Sequence, residues 1–281
     1  MISGFRILKS GRSKLVLNEA DWELIAAAAD AVRVVGKPKP CDAMEHEHTH
    51  DAIRQRLAAG PQQSYLRDWV YGAIDGTVTT FALVSGVVGA HLSPRVILIL
   101  GGASLVADGF AMAAANYLAT RAEQEESHYA AAVERRHIED VPEGEREEVR
   151  EILRGLGIVG DLLERVVYAI TADRDSWVRV MLRYEYGLPE QVRSPWHAAG
   201  STFWAFLICG SVPLVPFVAG LQKPFSVAAA ITSLTFVSIG ALKARWSIRP
   251  WWHSGLTTLA IGGGAAAVAY GIGAWLRQIM G

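Results

Sequence analysis

Five stretches of the chain are apolar almost without interruption: residues 69–90, 95–118, 198–220, 225–243 and 254–275. Each approaches the roughly 20 residues a helix needs to cross a hydrocarbon layer. Polarity returns abruptly between them. Residues 1–67 and 119–195 hold most of the charge, whereas 69–118 and 197–276 hold almost none. Charge is segregated in this way when a bilayer makes each intramembrane charge costly. The breaks are short and turn-like: His91-Leu92-Ser93-Pro94-Arg95, then Gln222-Lys223-Pro224, then Lys243 to His253. The last of these carries Arg245, Arg249 and the pair Trp251-Trp252, the chemistry of a membrane interface. The pattern predicts an all-α protein, a five-helix transmembrane bundle with a polar helical insert between spans two and three. In domain terms, 1–67 is an N-terminal tail, 68–118 holds spans one and two, 119–195 is the insert, and 196–281 holds spans three to five.

Periodicity divides the insert into four helices. Thr120–Ile138 continues straight out of the second span, and Pro142 restarts the chain for Glu143–Leu156. Asp161–Ala172 places Leu162, Leu163, Val166, Val167 and Ile170 on one face. Ser176–Tyr186 follows, stopped by Gly187-Leu188-Pro189. Gly155, Gly157 and Gly160 spell a dinucleotide-binding pattern by letters. No strand precedes them and a helix does, so they read as a helix end and the next helix start. In the tail, Trp22–Val35 reads as a short amphipathic helix capped by Asn18.

At 281 residues the chain could form one or two soluble domains, but its 51% apolar residues are spread too unevenly for that. The net charge of −1 gives no reason to expect nucleic acid. Cys41 and Cys209 form no CxxC pair or disulfide framework, and no signal peptide is expected. Arg54, Arg56, Arg67, Arg121, Arg193, Lys243, Arg245 and Arg249 flank one side of the spans; Arg95, Lys223 and Arg277 flank the other. The positive-inside rule therefore puts the N-terminus and the insert in the cytosol and the C-terminus outside.

Asp75 is the most informative residue. It lies about two turns into the first span, between Gly72 and Gly76, with Thr79 one turn further on the same face. An intramembrane carboxylate points to function, and the small residues beside it let a second helix approach closely. A hydrogen-bonded packing role for Asp75 is the competing reading. In the second span Asp108, Met112 and Asn116 share a stripe at i, i+4 and i+8. Oxygen and thioether ligands together suit a borderline divalent ion, although a lone Met is more often core filling.

The insert carries Glu123, Glu126, Glu134 and His137 along one helix and Glu145, Glu148 and Glu151 along the next, with Met181 and Glu185 a turn apart on the last. Packed side by side, such helices would gather carboxylates that only a cation could neutralise. The alternative, equally weighted here, is a solvated face laced with Arg135, Arg136, Arg146 and Arg150. Glu45-His46-Glu47-His48-Thr49-His50 is a second metal-like segment, or an inert tail.

These residues resemble the vacuolar iron transporter (VIT) family. The likeness runs through Asp75-Gly76, Thr79-Thr80-Phe81, Ala111-Met112-Ala113-Ala114, Tyr117-Leu118, the Glu-rich insert, and Met181–Glu185 before Gly187-Leu188, over roughly residues 62–276. The resemblance implies a homodimer that exports Fe²⁺ from the cytosol by proton antiport, through a pathway lined by the first span of each subunit. It implies metal at Asp75 and Met112 within the membrane, and at Glu134, Glu145, Glu148, Glu185 and Met181 in the insert. Thr79, Asp108, Glu123, Glu126 and Glu151 are secondary candidates. His137 stands where a Glu is usual, Leu182 where a second Met can occur, and Asn116 where Glu is frequent, which bears on metal preference and site count. About 60 residues precede the membrane part, too few for the ferritin-like domain of some bacterial relatives. The expected setting is a bacterial inner membrane. No prosthetic group is expected: the metal, Fe²⁺ first and Mn²⁺ second, is cargo. A membrane-anchored metal buffer or sensor is the alternative. A di-metal enzyme would want Glu-x-x-His pairs on two helices, and Glu134-Arg135-Arg136-His137 is a single copy, so no enzyme is expected.

Overall fold

A computed structural model describes residues 48–59, 63–189, 193–244 and 250–280. All regular structure among them is helical: α1 (His50–Ala59), α2 (Leu66–Gly89), α3 (Pro94–Asp140), α4 (Pro142–Gly155), α5 (Asp161–Thr171), α6 (Arg174–Tyr184), α7 (Pro195–Ser211), α8 (Val215–Val218), α9 (Pro224–Lys243) and α10 (Trp251–Met280). A 3₁₀ turn, Val212–Leu214, joins α7 to α8. The expected helix over Trp22–Val35 and the first three residues of the His-rich segment, 45–47, lie outside the described residues. Five helices are long and apolar enough to cross a membrane: α2, α3, Pro195–Val218, α9 and α10. They coincide with the five apolar runs, and the chain is an integral membrane protein.

The chain divides into two compact units, one containing Ser127–Glu190, the other Pro61–Glu126 with Gln191–Gly281. In the second unit α2 lies between α7 and α10, and glycines set both contacts. A Cβ on Gly72 would come 2.3 Å from the carbonyl oxygen of Thr202, and one on Gly76 2.5 Å from that of Phe206. Further along the helix, a Cβ on Gly273 would come 2.1 Å from the Gly86 carbonyl. Backbones this close exclude any side chain, which is how small residues lock helices where no hydrophobic effect separates helix from lipid. The helix is covered to different extents around its circumference: Ala73, Thr77, Val84 and Ser85 are buried, while Tyr71, Asp75 and Ala82 form a partly open stripe.

The Ser127–Glu190 part is a helical unit with its own core. Ile138 from the end of α3, Val149 and Leu153 from α4, Leu163 and Val167 from α5, and Trp177, Val178 and Met181 from α6 pack together. The glycine-rich segment behaves as its context demanded. Gly155 ends α4, Gly157 takes φ +87°, and Gly160, the residue before α5, takes φ +67°. Both conformations favour glycine and need no nucleotide to explain them.

Candidate metal sites

Two places carry the expected chemistry, one in each unit. In the Ser127–Glu190 unit, Glu134 follows Ala130 and precedes Ile138 by one turn each, and all three are buried. On α4, Glu145, Val149 and Leu153 repeat that spacing and burial. Each carboxylate therefore occupies a core position of its own helix. Glu134 is 0% exposed and Glu145 4% exposed, so packing drives both out of water. The phenol of Tyr186 donates to Glu134 Oε1 at 3.0 Å. His137 Nδ1 stands 3.4 Å from Glu145 Oε1 and 3.9 Å from Glu134 Oε1. Glu134 Oε2 and Glu145 Oε2 are buried with no hydrogen-bond partner. Burying ionised oxygens without a partner is among the costlier arrangements a fold can hold.

The electrostatics follow. Burial, then the charges of Glu134 and Glu148, push the Glu145 carboxyl up to about 7. Glu185, although much of its surface meets solvent, is also raised, by partial burial and by Glu134 and Glu148, with His137 opposing. The Tyr186 phenol is raised by burial and by Glu134, which keeps it a donor. Met181 is fully buried one turn before Glu185. Glu148 is exposed at the rim. Among the described residues, no three His, Cys, Asp or Glu side chains converge tightly enough to hold a metal as they stand. Binding here would need side chains to close inward.

The insert's acidic residues divide by their surroundings. Glu143 pairs with Arg146, Glu147 with Arg150 and Arg154, Glu151 with Arg154, and Glu164 with Arg150. Those are surface pairs, worth little to stability. Glu151 therefore belongs to the solvated face. Glu123 and Glu126 precede Ser127 and are exposed in the other unit, with Glu123 3.8 Å from Arg193. Glu134 and Glu145 have no arginine partner among the described residues.

In the membrane unit, Asp75 and Met112 are both half-buried. The carboxylate of Asp75 meets no basic group among the described residues, and Asp108 is near enough for its charge to act on it. Asp108 is exposed on α3 and accepts a hydrogen bond from Ser104 Oγ. Thr79 donates its hydroxyl back to the Asp75 carbonyl at 2.8 Å, so that group is already engaged by its own helix. Asn116, on the Asp108–Met112 stripe, is engaged elsewhere: its amide donates to Asp68 Oδ1 (3.0 Å), Thr202 Oγ1 (2.7 Å) and the Ala198 carbonyl (3.2 Å). Asp68 is the residue that periodicity overlooked. It is 7% exposed and bound through both oxygens by Arg193, at 3.0 and 3.2 Å. Its signal was present, since it lies seven residues before Asp75 on the same stripe.

The family model of the VIT family matches residues 66–274. The chain belongs to the VIT family. It is 33% identical over 212 residues to vacuolar iron transporter 1 of Arabidopsis thaliana, covering 73% of this chain and 83% of that one. Against vacuolar iron transporter 1 of Tulipa gesneriana it is 30% identical over 219 residues, 76% of this chain and 88% of the relative. Vacuolar iron transporter 2 of Oryza sativa subsp. japonica is matched over its whole length, at 28% identity across 246 residues. These VIT relatives are named as transporters, not enzymes, in accord with the sequence reading.

Proposed function

We propose that this VIT-family protein exports a divalent transition metal, Fe²⁺ foremost and Mn²⁺ as second choice, from the cytosol in exchange for protons. The observation that carries this is Asp75, a carboxylate within a membrane-spanning helix, half-buried and without a basic partner among the described residues. A span that only anchored the chain would have no use for it. Met112 adds a soft ligand, and a carboxylate in a low-dielectric seam can alternate between proton and metal. Glu134, Glu145, Glu148, Met181, Glu185 and His137 gather metal in a cytoplasmic insert, where a cation would satisfy the two orphaned oxygens. The transporting unit is a homodimer in the bilayer, of the bacterial inner membrane by expectation, with N-terminus and insert inside and C-terminus outside. The partly open stripe of α2 through Asp75 is the face a second copy would cover.

Purified protein in proteoliposomes, with metal on one side and a pH step across the membrane, tests the proposal. Metal uptake coupled to proton movement is the expected result. Metal binding without flux would instead support a membrane-anchored buffer or sensor.

A further inference from the structure

Asp68 and Asp75 lie on one stripe of α2 with Gly72 and Thr79, at i, i+7, i+4 and i+11. They are about 10 Å apart along the axis, at 1.5 Å per residue. Their surroundings are opposite. Asp75 has no cation among the described residues, whereas Asp68 has one built in. Around Asp68, protein oxygens converge on two nitrogen atoms. Arg193 Nη1 meets both carboxylate oxygens, at 3.0 and 3.2 Å. Asn116 Nδ2 meets Asp68 Oδ1, Thr202 Oγ1 and the Ala198 carbonyl, at 2.7–3.2 Å. Carboxylate, hydroxyl and carbonyl oxygens are the donor types of a hard divalent-cation site; here the neutral amide of Asn116 takes the mixed set, and the positive charge of Arg193 meets the Asp68 carboxylate alone. The guanidinium supplies the positive charge that a cation would otherwise bring to Asp68.

We propose that Arg193 is an internal counter-ion that, with Asn116, fills this oxygen-lined position and keeps Asp68 from capturing divalent metal ahead of Asp75. The inference rests on the transport reading above. A buried carboxylate stripped of its partner demands another cation. Without Arg193, metal entering along the stripe would be held at Asp68 and pass on slowly. Arg193 is a positioning residue: it touches no cargo, and it decides which carboxylate the cargo meets. The chain supplies it at the step where it re-enters this unit, just before α7, and fixes it there. Gln124 Nε2 donates to the Arg193 carbonyl at 3.0 Å, and the Ser194 amide donates to Tyr65 Oη at 3.1 Å.

The test is equilibrium Mn²⁺ binding by the full chain in nanodiscs, alongside Mn²⁺ flux in proteoliposomes. In an Asp75→Asn background, Arg193→Gln should add one Mn²⁺ per chain, and adding Asp68→Asn should remove it. In flux, Arg193→Gln alone should lower KM at least tenfold and lower turnover too, while Arg193→Lys stays near wild type. Asp68→Asn alone should leave Mn²⁺ affinity within twofold of wild type. That variant decides the matter if Arg193→Gln fails to fold. No gained site, a gained site that survives Asp68→Asn, or a tenfold affinity loss in Asp68→Asn would each overturn the proposal. Absence of flux in wild type would sink the transport reading and leave the binding result to stand by itself.

Discussion

Glu145→Gln should stabilise the Ser127–Glu190 unit at neutral and alkaline pH and flatten its pH dependence. The Glu145 carboxyl is held at about 7 in the folded protein against an ordinary value of 4.5. Between those values the folded state binds more protons than the unfolded one, so stability is greatest below 4.5 and falls as pH rises through 7. The full cost of ionising it in place is roughly 3 kcal/mol, at 1.36 kcal/mol for each tenfold change in proton affinity. Solvent at the open rim, where Glu148 and Glu185 are exposed, screens this to about 2 kcal/mol. That corresponds to about thirtyfold faster opening of α4 and the end of α3 at pH 8 than at pH 4.5. Hydrogen exchange followed by mass spectrometry on the metal-free full chain, corrected for intrinsic rates, reads this directly. In the Gln variant more than half of the pH effect should vanish, because neither Glu134 nor Glu148 then faces a neighbouring charge at that position. If wild-type protection in α4 rises with pH, or the variant keeps the wild-type slope, the account of this cluster is wrong.

Other predictions follow from the same contacts. Tyr186→Phe leaves buried Glu134 Oε1 without its donor and should destabilise the same unit by about 1–3 kcal/mol, read as faster exchange in α3 and α4. Glu134→Gln should weaken metal binding by at least tenfold in calorimetry. Glu151→Gln, which loses only a surface pair with Arg154, should leave both affinity and melting behaviour unchanged. Gly72→Ala sets a methyl against the Thr202 carbonyl. It should cost about 1–3 kcal/mol of α2–α7 packing and lower the thermal midpoint in detergent.

Much of this architecture could be read from hydropathy and punctuation alone. Five apolar runs became five spans because lipid admits little else, and the Gly155–Gly160 segment became a helix break because glycines there take positive φ. Within the insert, sequence counting could list the glutamates but not sort them. Glu123 and Glu134 share a helical stripe at eleven residues' separation, yet only Glu134 lies beside the core of α4–α6, so only it is buried. Sorting needed the apolar neighbours: Ala130 and Ile138 flank Glu134, and Val149 and Leu153 follow Glu145 at the same spacing. The Asp68–Arg193 pair joins residues 125 apart in sequence, and no local periodicity reports a contact of that range. Asn116 looked like a partner of Met112 by spacing, and tertiary contacts to Asp68 and Thr202 took its amide instead.

The claim that one intramembrane carboxylate carries the cargo is met most directly by Fe²⁺ flux into proteoliposomes under an imposed pH gradient, with wild type and Asp75→Asn compared at equal reconstituted protein. The account predicts proton-coupled flux in wild type and its loss in the variant, with Asp75→Asn still monodisperse and its insert still binding metal. Undiminished flux through Asp75→Asn would contradict it.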